Sequence, residues 1–193
     1  MKHTDFVHLH VHTHYSLLDS SLRHEALLAR AAKFKMPAVA MTDHSNLFGA
    51  LEFFEKARKH GVKPIIGCEM YVAPESRLLK DKNSTQGLRD AAYHLLLLAK
   101  NDAGYKNLLK LVSAAYLEGF YYKPRIDKEL LAEHAEGLIA LSCCNRGEVA
   151  FNLDKENLPR ATKVAQRYSE IMGPDNFYLE LQDHGQDWQK KIN

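Results

Sequence analysis

Phe6-Val-His-Leu-His-Val-His-Thr-His14 places four histidines, His8, His10, His12 and His14, at every second position. In an extended chain successive side chains point to opposite faces, so the alternation predicts a strand over 6–12 with its imidazoles on one side. Val7, Leu9 and Val11 then face a core. Imidazoles two residues apart sit roughly 6.6 Å apart along a strand at about 3.3 Å per residue. At that spacing two ring nitrogens can converge on one metal ion or flank a pair. Neutral imidazole is the commonest metal ligand among side chains. The plainer reading is an exposed strand whose polar face is rich in histidine. Asp19 and the later Asp43-His44 pair weigh against it, since together they make a mixed imidazole and carboxylate set.

The 193 residues fit one domain, and a composition 46% hydrophobic and 26% charged supports a real core. A net charge of +2 is too mild to argue for nucleic-acid binding by itself, and it leaves room for a local basic groove. Three cysteines, two of them the adjacent Cys143 and Cys144, make a poor disulfide framework and suit reduced thiols in a cytoplasmic protein. Met1-Lys-His-Thr-Asp5 has no apolar signal core. The longest strictly apolar run, Leu95 to Ala99, is far too short to span a membrane.

Beyond the first segment, strand-like and helix-like stretches alternate. Helices are expected at 22–34 (with Ser20 or Ser21 as N-cap), 47–60, 102–117, about 127–135 and 158–172. Strands are expected at 37–42, 63–72, 93–99, 137–142 and 176–182. Residues 74–90 read as a polar, mobile loop, and Gly119-Phe-Tyr-Tyr-Lys-Pro-Arg125 as an aromatic, basic one. Such alternation predicts an α/β fold with a mainly parallel sheet, open or curled into a barrel, and ligands at the carboxyl ends of the strands.

Several polar residues fall at that rim: His10 and His12 late in the first strand, Asp19 after it, His44 after the second, Glu69 late in the third and Cys144 after the fifth. Their imidazole, carboxylate and thiolate groups bind zinc, manganese or iron. His94 stands at the start of its strand. Either that strand runs antiparallel or His94 reaches the rim another way. Each residue also has a plainer role: Asp43 as a helix cap, Glu69 as a surface carboxylate, His94 as a core histidine, Cys144 as a small buried hydrophobe. Cys68 and Cys143, out of phase with Glu69 and Cys144, read as structural. His3, His24, His60 and His134 read as solvated.

His8-Leu-His-Val-His-Thr-His-Tyr-Ser-Leu-Leu-Asp19, Met41-Thr-Asp-His-Ser-Asn-Leu-Phe-Gly49 and Lys63-Pro-Ile-Ile-Gly-Cys-Glu69 resemble the polymerase and histidinol phosphatase (PHP) domain. The version is the one carried at the N-terminus of bacterial replicative DNA polymerases. Gly119-Phe-Tyr-Tyr-Lys-Pro-Arg-Ile-Asp127 and Tyr178-Leu-Glu-Leu-Gln-Asp-His-Gly185 are similar to the same proteins, so the resemblance covers essentially all of 1–193 as a single PHP domain.

The resemblance implies a distorted seven-stranded β/α barrel with two to three divalent metals at one rim, zinc first, manganese or iron(II) otherwise. Matched residue by residue, the ligands are His10, His12, Asp19, His44, Glu69, His94 and Cys144. His8 falls where many members carry Asp and ranks below them. His14 and Ser20 stand where another polar residue and Gly are expected. The family closes its cluster with an Asp-x-His pair on a late strand. Asp183-His184 is adjacent rather than spaced by one, so the expectation is a fragment that lacks the end of the barrel.

The implied chemistry is metal-dependent hydrolysis of DNA phosphodiesters, of the 3′–5′ exonuclease or phosphoesterase kind, within a polymerase. Arg125 or Lys123 can hold a substrate phosphate, or simply be a solvated loop cation. Expected partners are DNA, other domains of the same chain, a proofreading exonuclease subunit and other replisome proteins, with no membrane. Two other readings stand beside this one: a stand-alone small-molecule phosphatase acting, for example, on histidinol phosphate, and a non-catalytic bracing or partner-binding module.

Overall fold

The structure, a computed structural model, describes residues 3–193. It has a mixed α/β fold with six strands and seven α-helices among the described residues, in two compact units that divide between Cys68 and Glu69.

The first unit holds α1 (His24–Lys33), β1 (Ala38–Met41), α2 (Ala50–Lys59) and the opening of β2 (Lys63–Val72). Ala38–Met41 pairs in parallel with Lys63–Ile66. Leu28, Ala31, Val39, Met41, Phe53, Ala57 and Val62 form its buried core, with Val11 and Leu47 packed against it.

The strand expected over 6–12 is not one. The segment runs beside β1, with the Ala40 N–H donating to the His8 carbonyl (2.9 Å) and the Thr42 N–H to the Val11 carbonyl (2.8 Å). The next rung is lost because the Val11 N–H donates to the Thr42 hydroxyl oxygen (2.8 Å) instead of a carbonyl. Helix α1 also differs from expectation at its start. Its N-cap is Arg23, without a side-chain cap, and Ser20 Oγ accepts from the Leu22 N–H before the helix begins.

The second unit contains the end of β2, β3 (Tyr93–Ala99), α3 (Asp102–Leu117), β4 (Arg125–Ile126), α4 (Lys128–Glu133), β5 (Leu138–Leu141), α5 (Glu148–Asp154), α6 (Leu158–Met172), β6 (Phe177–Tyr178) and α7 (Asp187–Ile192). Tyr71-Val72 pairs in parallel with β4, and β5 in parallel with β6. β3 pairs antiparallel with β5, Leu96 opposite Leu141, which settles the question left open by His94. Leu95 to Leu98 are all buried, so both faces of β3 are covered and its apolar run is continuous rather than alternating.

The strand expected over 176–182 stops at Tyr178. The Ser142 N–H still donates to the Tyr178 carbonyl (2.9 Å), but the Glu180 N–H then bonds the Ser142 hydroxyl (2.9 Å), so a side chain again takes the place of a backbone rung. Helices α5 and α7 and the pairing of β4 were not anticipated. α5 is short and is held by Glu148, which pairs with Lys128 (2.5 Å) and accepts from the Tyr168 hydroxyl (3.1 Å).

Helix caps follow local chemistry. Asn101, Asp127 and Asn157 each accept a backbone N–H three residues on, satisfying a first-turn donor. The entry to α3 is tight. The Gly137 carbonyl accepts from the Lys100 N–H (2.8 Å), and a Cβ placed on Gly104 would lie 1.8 Å from the same oxygen. Gly104→Ala would ordinarily gain about 1 kcal/mol of helix propensity. Here it is expected to lose about 1–3 kcal/mol through overpacking, read as a lower urea midpoint at unchanged slope.

Candidate metal-ligand sites

Within the first unit the chain turns after Thr13, and the four-histidine face breaks up. His10 Nε2 lies 3.2 Å from His12 Nε2. The His12 ring stacks on His44 at 4.1 Å, and His44 Nε2 stands 3.7 Å from Asp19 Oδ2. His8 is exposed against the edge of Phe6, and His14 turns toward Tyr15 and His24.

Asp43 organises this set from beneath. Fully buried, it accepts from the Thr13 N–H (2.6 Å), the Thr13 hydroxyl (2.7 Å) and the Ser16 hydroxyl (2.7 Å). It therefore caps no helix. Because Ser16 gives its one proton to Asp43, its oxygen accepts from His12 Nδ1–H (2.9 Å) and from the His44 N–H (3.1 Å). That fixes the His12 tautomer with the Nε2 lone pair turned toward His10. Two imidazole nitrogens 3.2 Å apart share a proton or a cation, so the pair fits a metal ion chemically.

His24, expected to be solvated, is 1% exposed. It packs between His14, Tyr15 and Phe53, its Nδ1 is 3.6 Å from Glu52, and neither ring nitrogen has a hydrogen-bond partner. Burial holds its pKa below the usual 6.5, against the pull of Glu52. The signal in the sequence was the helix start, where the first turn faces the core rather than water.

In the second unit Glu69, His94, Cys143 and Cys144 come together, each offering one donor atom within 4.8 Å of the others. The antiparallel turn of β3 carries His94 to the end of β5, next to the cysteines. His94 Nδ1 and Glu69 Oε1 are hydrogen-bonded, and both side chains are 2% exposed. Burial works against a charged His94, but the Asp90 and Glu69 carboxylates outweigh it and push its pKa up to about 9. The hydrogen bond from Cys143 holds the Cys144 thiol down to about 6, against its burial, while burial pushes Cys143 well above the ordinary range. Asp90 is held below the usual carboxylate range by His94, with burial opposing and Arg146 assisting. Imidazole, carboxylate and thiolate in one buried group is a donor set suited to zinc or iron.

Strict alternation points Cys143 away from Cys144. Its φ of 67° breaks that alternation and turns the two sulfurs to 3.9 Å from each other. Cys68 is structural, its thiol donating to the Asp43 carbonyl (3.3 Å). Arg125 is corrected as a phosphate contact. It is fully buried, and its guanidinium donates to the carbonyls of Gly119, Ala91, Arg77 and Leu79, so it ties the 77–91 loop to β4. Asp183 and His184 make local bonds to Gly185 and Gln189 at the start of α7.

The PHP domain family matches residues 8–184, and the chain belongs to that family. Among curated relatives, the DNA polymerase III subunit alpha of Treponema pallidum is 50% identical over 192 residues, covering 100% of this chain and 16% of that protein. The corresponding subunit of Thermus aquaticus is 50% identical over 190 residues, covering 97% of this chain and 15% of that protein. The chain thus spans about a sixth of the length of these relatives. Among solved structures, an amidohydrolase from Chromobacterium violaceum matches with a TM-score of 0.40 at 17% identity, over 85% of this chain and 49% of that chain.

His24 carries a pH consequence. Its folded-state pKa is below the unfolded value near 6.5, so the unfolded chain binds the extra proton. The stability it contributes is complete above that value and is lost as pH falls through it. Comparing urea midpoints at about pH 7 and about pH 5, His24→Leu is expected to lose less stability on acidification than the unsubstituted chain.

Proposed function

We propose that this chain is the PHP module of a bacterial replicative DNA polymerase, the DNA polymerase III alpha subunit, and that it hydrolyses DNA phosphodiesters with bound divalent metals. The reading rests on family membership and the two relatives at 50% identity. The observation that carries the chemistry is the buried Glu69–His94–Cys143–Cys144 group, whose donor atoms all lie within 4.8 Å of one another. His10, His12, Asp19 and His44 are proposed as the ligands of the first unit, and Glu69, His94 and Cys144 as those of the second. Two to three ions are expected, zinc first, with manganese or iron(II) as alternatives.

When bound, such ions acidify a water and neutralise phosphate charge in the transition state. The protein's own part is to fix the donors. Ser16 and Asp43 hold His12 in the tautomer that keeps the Nε2 lone pair for the ion. Cys144, its thiol held down to about 6 by the hydrogen bond from Cys143, is the more readily deprotonated of the two cysteines. With Arg125 committed to backbone carbonyls, Lys123 is the remaining cation of the aromatic loop for a substrate phosphate. Its ammonium lies 5.4 Å from the centre of the Tyr71 ring.

The expected surroundings are DNA, other domains of the same chain and a proofreading subunit, in the cytoplasm. No helix among the described residues is long and apolar enough to cross a membrane.

Elemental analysis of protein purified without added metal or chelator is expected to find two to three equivalents of zinc, manganese or iron. Hydrolysis of a 3′-end-labelled DNA strand should exceed that of a phosphorylated small molecule. His12→Ala should reduce it by more than the roughly 10–100-fold that losing a ligand's hydrogen-bond partner costs. Metal-free protein whose stability ignores chelators would favour a bracing module instead. Preference for the small molecule would favour a phosphatase.

A further inference from the structure

We propose that Asp90, itself held by Arg146, is the positioning residue that aims the His94 imidazole at the Glu69–Cys143–Cys144 donors. The inference rests on the reading of those donors as a divalent-metal site, and it deepens that reading by naming what orients its histidine.

Neutral imidazole has one N–H and one lone pair, and whatever faces the first decides where the second points. His94 Nδ1 lies on the Glu69 side, bonded to Oε1. Nε2, on the far side of the ring, faces Asp90 Oδ2 at 3.5 Å. In the neutral ring that would hold a metal ion, a carboxylate there favours keeping the one proton on Nε2, which would free the Nδ1 lone pair on the side of Glu69 and the thiols. It also makes the ring a more basic donor.

Arg146 holds this arrangement at two points. Its Nη1 donates to Asp90 Oδ2 (2.9 Å), and its carbonyl accepts from the His94 N–H (3.0 Å). One residue therefore grips both the backbone of the histidine and the carboxylate that faces its ring. The edge of Tyr71, 4.8 Å away at 83°, limits rotation of the ring. Asp90 is four residues before His94 but outside any helix, so their approach depends on the folded path from the 77–91 loop into β3.

The test measures zinc affinity of the 193-residue chain by competition with a chromophoric chelator, together with the visible spectrum of the cobalt-loaded protein and the denaturant midpoint of the metal-free form. Asp90→Ala is expected to weaken zinc binding about 10–100-fold. Asp90→Asn, whose amide oxygen can accept from Nε2–H, should stay within a few-fold of the unsubstituted chain, and Arg146→Gln should show a smaller loss than Asp90→Ala. In all three the thiolate-to-cobalt absorption should persist at saturating metal, because the cysteines are untouched.

Equal losses in Asp90→Ala and Asp90→Asn would make Asp90 a direct ligand and overturn the positioning role. Unchanged zinc affinity in both, with a lower midpoint of the metal-free form, would make it merely structural and overturn the inference while leaving the metal site intact. Failure of the unsubstituted chain to bind zinc or cobalt would overturn the metal reading and this inference with it. Should Asp90→Ala not fold, Asp90→Asn and Arg146→Gln decide the matter between them: wild-type affinity in Arg146→Gln, or strong loss in Asp90→Asn, would overturn the proposal.

Discussion

The antiparallel pairing of β3 with β5 is the constraint on which the second unit's chemistry depends. A parallel β3 would put His94 at the opposite end from the cysteines that follow β5. With Leu96 opposite Leu141, the start of β3 meets the residues after β5, and a histidine and a cysteine pair fifty residues apart become neighbours. The pairing is stabilised by a run of leucines buried on both faces, so apolar burial holds a polar cluster in place.

In the first unit the corresponding role falls to one buried carboxylate. Asp43, two residues beyond the end of β1, gathers the Thr13 backbone, the Thr13 hydroxyl and the Ser16 hydroxyl, and Ser16 in turn fixes the proton on His12. A buried carboxylate is costly unless its lone pairs are satisfied. Satisfying them obliges the chain to turn at Thr13. That turn separates His14 from His10 and His12, directing one toward an apolar pocket with His24 and leaving the other two facing each other.

Much of the architecture was legible in the sequence. Strands β2 and β3 and helices α3 and α6 have the bounds that hydrophobic patterning and cap residues predict. The two strands that fell short, at 6–12 and 176–182, fail for the same reason: a hydroxyl, from Thr42 in one and Ser142 in the other, takes a backbone donor and interrupts the ladder. Nothing in local composition announces which serine or threonine will do this. Arg125 was misread because a cation in an aromatic loop looks solvated, whereas this one is surrounded by carbonyls contributed by residues 34–48 positions away.

The sequence alone determined the residue types and their spacing: the alternating histidines, the Asp43-His44 pair, Glu69 late in a strand, and the motifs that mark a PHP domain. Those follow from local periodicity and side-chain chemistry, which a linear chain displays directly. Tertiary structure decided direction and company. It set β3 antiparallel, turned Cys143 beside Cys144 through a left-handed backbone, buried His24 and Arg125, and brought Asp90 to His94. Each of these rests on contacts between distant segments or on a single torsion, whose energies depend on the whole fold and leave no periodic mark on the chain.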